Sequence, residues 1–309
     1  LNLGSRLDTR VTGGVPSSFA RNSKVISVDV DKNELSKKRG LELHLKINSD
    51  LSDFFRVCNK EIKNFKYTNS VWIEKCHKWK KQYPLVRKEY YSQKKFVNPY
   101  VFFNELSKIL NKKSIIIGDT GGHLTWAMQA FKAKEGQKIF SAFGNSPMGY
   151  ALPASISASI ASNKSKVISI NGDGSIQLNI QELQTAVFNK LPIKIIVMNN
   201  NGYGIIKQFQ EQYLNKRYEA TTPKTGVVNP DFRKVSRAYG INYTLIKNNY
   251  NLKQTLLKPI KSNKIEFIEV LLKPDQKIIP KLQFGRPIED LSPLLPREEF
   301  KRNMFIKTI

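Results

Sequence analysis

The sequence predicts an α/β fold built on a parallel sheet, preceded by the end of a second α/β domain. The first observation behind this is a βαβ unit in residues 166–206, KVISINGDGSIQLNIQELQTAVFNKLPIKIIVMNNNGYGII. Its apolar run at 167–170 reads as a strand buried on both faces, because a half-exposed strand would alternate with polar residues. The run breaks at Gly172-Asp173-Gly174-Ser175. Ile180, Leu183, Val187 and Leu191 then recur at helical spacing until Pro192, and a second apolar run at 193–198 leads into Asn199-Asn200-Asn201-Gly202. The second observation is an isolated apolar strand at 24–30, with too little chain before it to complete a domain. The third is length: 309 residues suffice for one large or two modest cores.

Taken in order, residues 1–47 read as the C-terminal end of a central domain. Asp29 and Asp31, at the end of its strand, suit turn or helix-start positions. Residues 48–97 read as a helical linker, with Phe54, Phe55, Val57, Ile62 and Phe65, then Trp72, Ile73, Trp79 and Tyr83, on amphipathic stretches that Pro84 interrupts. Residues 98–275 form the main domain. Asn98-Pro99 opens a helix at 101–110. A strand at 114–117 then runs into Gly118-Asp119-Thr120-Gly121-Gly122-His123, with Asp119 expected as a turn residue. A helix of small residues at 151–161 can pack closely on the sheet. After the βαβ unit, residues 205–226 are polar and carry no strand. A helix at 232–239, a strand at 242–246, a helix at 252–261 and a strand at 265–272 complete the domain. The tail, 276–309, has too many prolines for a helix and suits either a lid over the site or a packed surface arm.

Composition narrows the function. The formal charge of +26, from 51 basic and 25 acidic side chains, raises a nucleic-acid reading. The lysines, however, are spread along the whole chain without a nucleic-acid-binding signature, as a solvated basic surface would be. Cys58 and Cys76 have no metal or redox spacing, and the Cys76-His77 pair lacks two further ligands. A reducing cytoplasm fits, and no apolar run approaches the roughly 18 residues that suggest a membrane span. Leu1 in place of Met leads us to expect a piece of a longer chain.

In a parallel sheet, the stretches after 167–170 and after 193–198 emerge at the same carboxyl edge, where such sheets bind ligands. Gly172 and Gly174 allow backbone N–H groups to approach an anion at the start of the following segment. Asp173, an amide oxygen and a backbone carbonyl from the facing loop make a hard oxygen site, suited to Mg²⁺ on a diphosphate. Gly-Asp-Gly by itself is a common turn. Paired with Asn-Asn across a βαβ unit, 200 − 173 = 27 positions apart, it resembles the cofactor signature of thiamine-diphosphate enzymes. The resemblance runs along most of the chain and is nearest to the acetolactate synthase group.

That resemblance implies a thiamine-diphosphate- and Mg²⁺-dependent carboligase that decarboxylates a pyruvate-type 2-oxo acid and then forms a carbon–carbon bond. It places Mg²⁺ on Asp173, Asn200 and the Gly202 carbonyl. It places the cofactor against His123, Ser146, Met148, Gly174, Ser175, Asn200, Tyr203, Gly204 and Ile205, with the Ser146 carbonyl on the aminopyrimidine and Met148 propping the thiazolium. Residues 205–226 correspond to a loop over the active site, with Phe209 toward the substrate. Phe209 stands where the family generally has Trp, and Gly202-Tyr203 where it has His-Leu; both departures bear on the acceptor. The resemblance also implies a homodimer or tetramer with the site at the interface. The activating glutamate would lie on a pyrimidine-binding domain outside these residues, so the chain by itself is expected to bind cofactor weakly and turn nothing over. FAD near Arg10 and the aspartates at 29 and 31 is a further implication. The alternatives are a 2-oxo acid decarboxylase or dione hydrolase of the same superfamily, a non-catalytic cofactor-binding remnant, or a basic nucleic-acid-binding protein.

Overall fold

The computed structural model describes residues 1–63, 66 and 69–309, without the side chain of Arg10. Phe65, expected on an amphipathic face, lies outside the described residues. The chain divides into two compact units, residues 1–82 with 279–309, and residues 83–278.

The first unit has a three-stranded parallel sheet, β1 (Asn2–Leu3), β2 (Ile26–Asp29) and β3 (Leu45–Asn48), in that order. Short helices α1 (Thr9–Thr12) and α2 (Lys32–Ser36) join the strands. Asp31 caps α2 by accepting the Asn33 N–H at 2.8 Å, and Asp29 accepts that of Asp31 at 3.0 Å, so both carboxylates hold the turn and helix start. Helices α3 (Leu51–Glu61) and α4 (Ser70–Gln82) bury none of their residues.

The second unit opens with α5 (Pro99–Ile109), where Asn98 accepts the N–H groups of Tyr100 and Val101 and Pro99 supplies a helical φ without a stranded donor. Then follow β4 (Ile115–Gly118), α6 (Gly122–Ala130), β5 (Lys138–Phe140), α7 (Ala151–Ala161), β6 (Val167–Gly172), α8 (Glu182–Phe188), β7 (Lys194–Asn199), α9 (Gly204–Tyr213), α10 (Phe232–Ala238), β8 (Asn242–Ile246), α11 (Leu252–Lys261) and β9 (Glu266–Leu271). The six strands form one parallel sheet in the order β5-β4-β6-β7-β9-β8.

Both faces of that sheet are covered, which is why its strands read as unbroken apolar runs. Ile168, Ile170, Ile196 and Met198 face a core shared with Phe103 and Leu106 of α5, Trp126 of α6 and Leu256 of α11. Ile195, Val197 and Phe267 face Leu152 of α7, Leu183 of α8 and Phe232 of α10. Each such side chain, wholly withdrawn from water, contributes about 1.5–3 kcal/mol. From β4 the chain moves outward to β5, then returns past β4 to β6 and on to β7. The direction reverses between β4 and β6, and a ligand crevice is expected at their carboxyl ends.

Three sequence expectations need correction. Residues 204–213 are a helix rather than a loop, because Gln208 on α9 is clamped to Ile278 by two bonds, at 3.0 and 3.1 Å. The tail does form a helix, α12 (Arg297–Asn303), since Pro296 precedes it and no proline lies within it. The segment expected as a single helix after β6 is a 3₁₀ turn, Ile176–Asn179, followed by α8. Among the described residues, no helix is long and apolar enough to cross a membrane.

Candidate functional site

The crevice is present as a cleft of about 160 Å³. Residues 120–123 after β4, 172–175 after β6 and 200–206 after β7 line it, together with Trp126, Met148 and Met198. Of the residues singled out from sequence, His123, Met148, Asp173, Gly174, Ser175, Asn200, Gly202, Tyr203, Gly204 and Ile205 line it together. Ser146 and Phe209 are not among its lining residues. The Ser146 hydroxyl turns back to the Phe143 carbonyl at 3.1 Å, and the Phe209 ring lies on Tyr213 at 4.9 Å.

Asp173 is the hinge between the two central loops. Its Oδ1 accepts the Gly174 N–H at 3.0 Å, and its Oδ2 accepts the Gly202 N–H at 3.0 Å and Asn229 Nδ2 at 2.7 Å. It is 2% exposed. Burial pushes its pKa up to about 6, against the lowering effect of these donors and the Asn201 N–H. The three adjacent asparagines separate by role. Asn199 is tied down, accepting the Asn201 N–H at 2.9 Å and donating to Glu269 at 2.6 Å. Asn201 is exposed, in the left-handed region at φ 57. Asn200 is 8% exposed, and its side chain has no hydrogen-bond partner among the described residues.

His123 follows Gly121 and Gly122 at the start of α6. It is 5% exposed, and burial lowers its pKa to about 4, so the ring is neutral at pH 7. Among the described residues its Nε2 has no hydrogen-bond partner, and a buried polar atom left unpaired beside a cleft marks a place for a ligand. The Ser175 hydroxyl, by contrast, is used within its own loop, accepting the Gly172 N–H at 2.9 Å. Gly174 packs under the Tyr203 ring, and a Cβ there would fall 2.1 Å from Cε1.

Sequence reasoning missed several supporting residues. Asp119 does make the expected turn, accepting the Thr120 N–H at 2.8 Å. It also accepts the N–H groups of Gly149 at 3.0 Å and Ala151 at 2.8 Å, tying the loop that carries His123 to the turn that carries Met148. Asn229 and Gln177 reach Asp173 from distant and local positions, and Trp126 lines the cleft while donating to the Lys277 carbonyl at 3.2 Å. The buried, helix-initiating Gly-Asp-x-Gly-Gly pattern at 118–122 was the available signal for Asp119; a lone Asn in a loop gave none for Asn229.

Among the described residues, no three His, Cys, Asp or Glu side chains cluster as a metal cage. The donors here are one carboxylate, one unpartnered amide and loop carbonyls, a set that fits Mg²⁺ sharing its shell with phosphate oxygens and water. Residues 119–270 match a family model described as "Thiamine pyrophosphate enzyme, C-terminal TPP binding domain". They belong to that family. The TPP-binding domain thus includes five of the six strands of the second sheet wholly or nearly so, and every cleft loop. Over a longer stretch the chain is similar to acetolactate synthase large subunits. It is 34% identical to that of Cyanidium caldarium over 292 residues, 92% of this chain and 48% of the relative. It is 33% identical to that of Porphyra purpurea over 261 residues, 84% and 43% of the two chains, and 34% to that of Pyropia yezoensis over 256 residues, 82% and 42%. The chain spans about half the length of the curated relatives it matches.

Proposed function

We propose that the TPP-binding domain holds thiamine diphosphate through Mg²⁺, and that the protein acts as an acetolactate synthase-like carboligase on pyruvate-type 2-oxo acids. The observation that carries this is the Asp173 carboxylate, which draws the Gly172–Ser175 and Asn200–Gly204 loops together beside the unpartnered amide of Asn200. Asp173, Asn200 and the Gly202 carbonyl would hold the cation. Backbone N–H groups of Ser175 and of Ile205 at the start of α9 would hold the diphosphate, with Gly174 and Gly204 shaping the two loops, since their own N–H groups are taken by Asp173 and the Gly202 carbonyl. When bound, the cofactor supplies the carbanion-stabilising chemistry that decarboxylation and carboligation need.

The chain's own residues prepare that chemistry. His123 offers a neutral Nε2, which donates or accepts without adding charge near the diphosphate. Met148, Met198, Trp126 and Ile205 give the cleft apolar walls that keep water from the reacting atoms. Among the described lining residues, Asp173 is the single carboxylate, and it is assigned to the loops and the cation. A proton-transferring carboxylate for the aminopyrimidine therefore has to come from outside this lining.

Acetolactate and CO₂ formation from pyruvate, with thiamine diphosphate and Mg²⁺, tests the reading in the full-length protein beside Asp173→Ala. Acetolactate from the parent and none from the variant is the expected result. Acetaldehyde as the product would favour a decarboxylase, and hydrolysis of a cyclic dione would favour a hydrolase. Residues 1–309 by themselves should consume no pyruvate, and steady consumption would overturn the role given to an outside carboxylate.

A further inference from the structure

We propose that Asn229, steadied by Gln177, is a positioning residue that fixes which oxygen of Asp173 is offered to a cation. The proposal rests on the cofactor reading above and adds two residues to it. A carboxylate oxygen has two in-plane lone-pair sites. Oδ2 of Asp173 fills both, with the Gly202 N–H at 3.0 Å and Asn229 Nδ2 at 2.7 Å. Oδ1 accepts one bond, from the Gly174 N–H at 3.0 Å, the nearby Asn201 N–H being bonded to Asn199 Oδ1 at 2.9 Å. The free lone pair therefore belongs to Oδ1, and the cation is taken through that atom.

The orientation of the Asn229 amide is itself fixed. Gln177, in the 3₁₀ turn that follows the Asp173 loop, donates Nε2 to Asn229 Oδ1 at 2.9 Å and to the Asp173 carbonyl at 3.0 Å. With its Oδ1 held by a donor, Asn229 must present Nδ2 to Asp173. The loop before α10, 56 residues along the chain from Asp173, thus reads the state of the cation loop. Leucine at 229 would keep about the same size and present no donor to Asp173.

The experiment uses the full chain with Mn²⁺ in place of Mg²⁺, counting free Mn²⁺ by electron paramagnetic resonance in the presence of thiamine diphosphate. Asn229→Ala is expected to weaken Mn²⁺ binding about tenfold, within the range for partners of metal-ligating side chains. Asn229→Leu, close to Asn in size but without a donor, should weaken it about as much, and Gln177→Ala less than either. A residue that merely filled space would be spared by Leu and not by Ala. Far-ultraviolet circular dichroism checks that each variant folds. If Asn229→Ala does not, Asn229→Leu and Gln177→Ala carry the test. Parent-like Mn²⁺ affinity in the folded Asn229 variants, or in Asn229→Leu by itself, overturns the proposal while leaving the cofactor reading intact. No Mn²⁺ uptake by the unsubstituted chain overturns both.

Discussion

Strands β6 and β7 and helices α3 and α4 all carry large apolar side chains, yet their fates are opposite. All six residues of β6 and five of the six of β7 are buried, whereas α3 and α4 bury none. In β6 and β7 each side chain meets helices from above or below the sheet, and the loops leaving them are fixed as a consequence. In α4 the fixed points are few: Trp79 donates Nε1 to Asn303 at 2.8 Å, and its ring meets those of Trp72 and Phe305 at 5.8 and 5.9 Å. Val71, Trp72 and Ile73 remain substantially exposed. Apolar content does not by itself make a core. What makes one is a second layer on each face, and the cleft is built where that condition is met.

The largest contrast should come from side-chain truncation. Ile196→Ala, at a wholly buried position in β7, is expected to cost about 4 kcal/mol through lost transfer energy and a residual cavity. Val71→Ala, at a position 74% exposed in α4, should change stability by less than about 0.5 kcal/mol, since alanine also favours the helix. Chemical unfolding measures both, and similar values at the two sites would break the comparison. A backbone version is somewhat smaller. Gly202 has φ 154, and an added Cβ would lie 2.5 Å from the Thr221 carbonyl oxygen, which the backbone holds in place. Gly202→Ala should cost about 3 kcal/mol by strain and overpacking together. Gly40, in the first unit, has φ 72 but open space around the missing Cβ. Gly40→Ala should therefore cost only about 1 kcal/mol, the conformational share alone.

The same contrast explains what could be read from sequence. The βαβ unit at 166–206 was legible because burial on both faces imposes an unbroken apolar run, and a parallel sheet puts its loops at one edge. Asp173 and Asn200 were legible for that reason, as chemistry-bearing side chains at fixed ends of such runs. Helix α9 was not, because it exposes Ile206 and Phe209 while burying Gln210, the reverse of an amphipathic pattern, and Gln208 is held by Ile278, 70 residues away. Asn229 was not legible for a related reason: a bond to Asp173 across 56 residues leaves no local periodicity. Asp119 looked like a turn residue because its nearest bond is a turn bond; its other partners, Gly149 and Ala151, become visible only when β4 and α7 are brought together.

Lysine at the foot of β7 offers the finest test of the comparison, because it is a charge placed where the chain has a complete second layer. Lys194 is wholly buried and donates Nζ to the Lys264 carbonyl, while Glu266 is its neighbour in register on β9. Burial lowers its pKa from the ordinary 10.5 to about 8, against the raising effect of Glu266. Between those two pH values the unfolded chain holds the proton and the folded chain does not. Stability attributable to this group therefore rises as pH climbs from about 8 to 10.5, and the cost of charging it is fully present below 8. Replacing Lys194 by itself would strand the buried Glu266, so the variant to make is Lys194→Met with Glu266→Gln. At pH 7 it should exceed the parent by about 2 kcal/mol, because the charge that burial penalises is gone. The gap, followed by urea unfolding across the pH range, should close as the pH approaches 10.5. Lys78→Met on exposed α4 should move stability by less than about 0.5 kcal/mol. A gap at Lys194 that stayed constant with pH would mean that water reaches the foot of β7, and that the sheet's covering layer is thinner there than at the cleft.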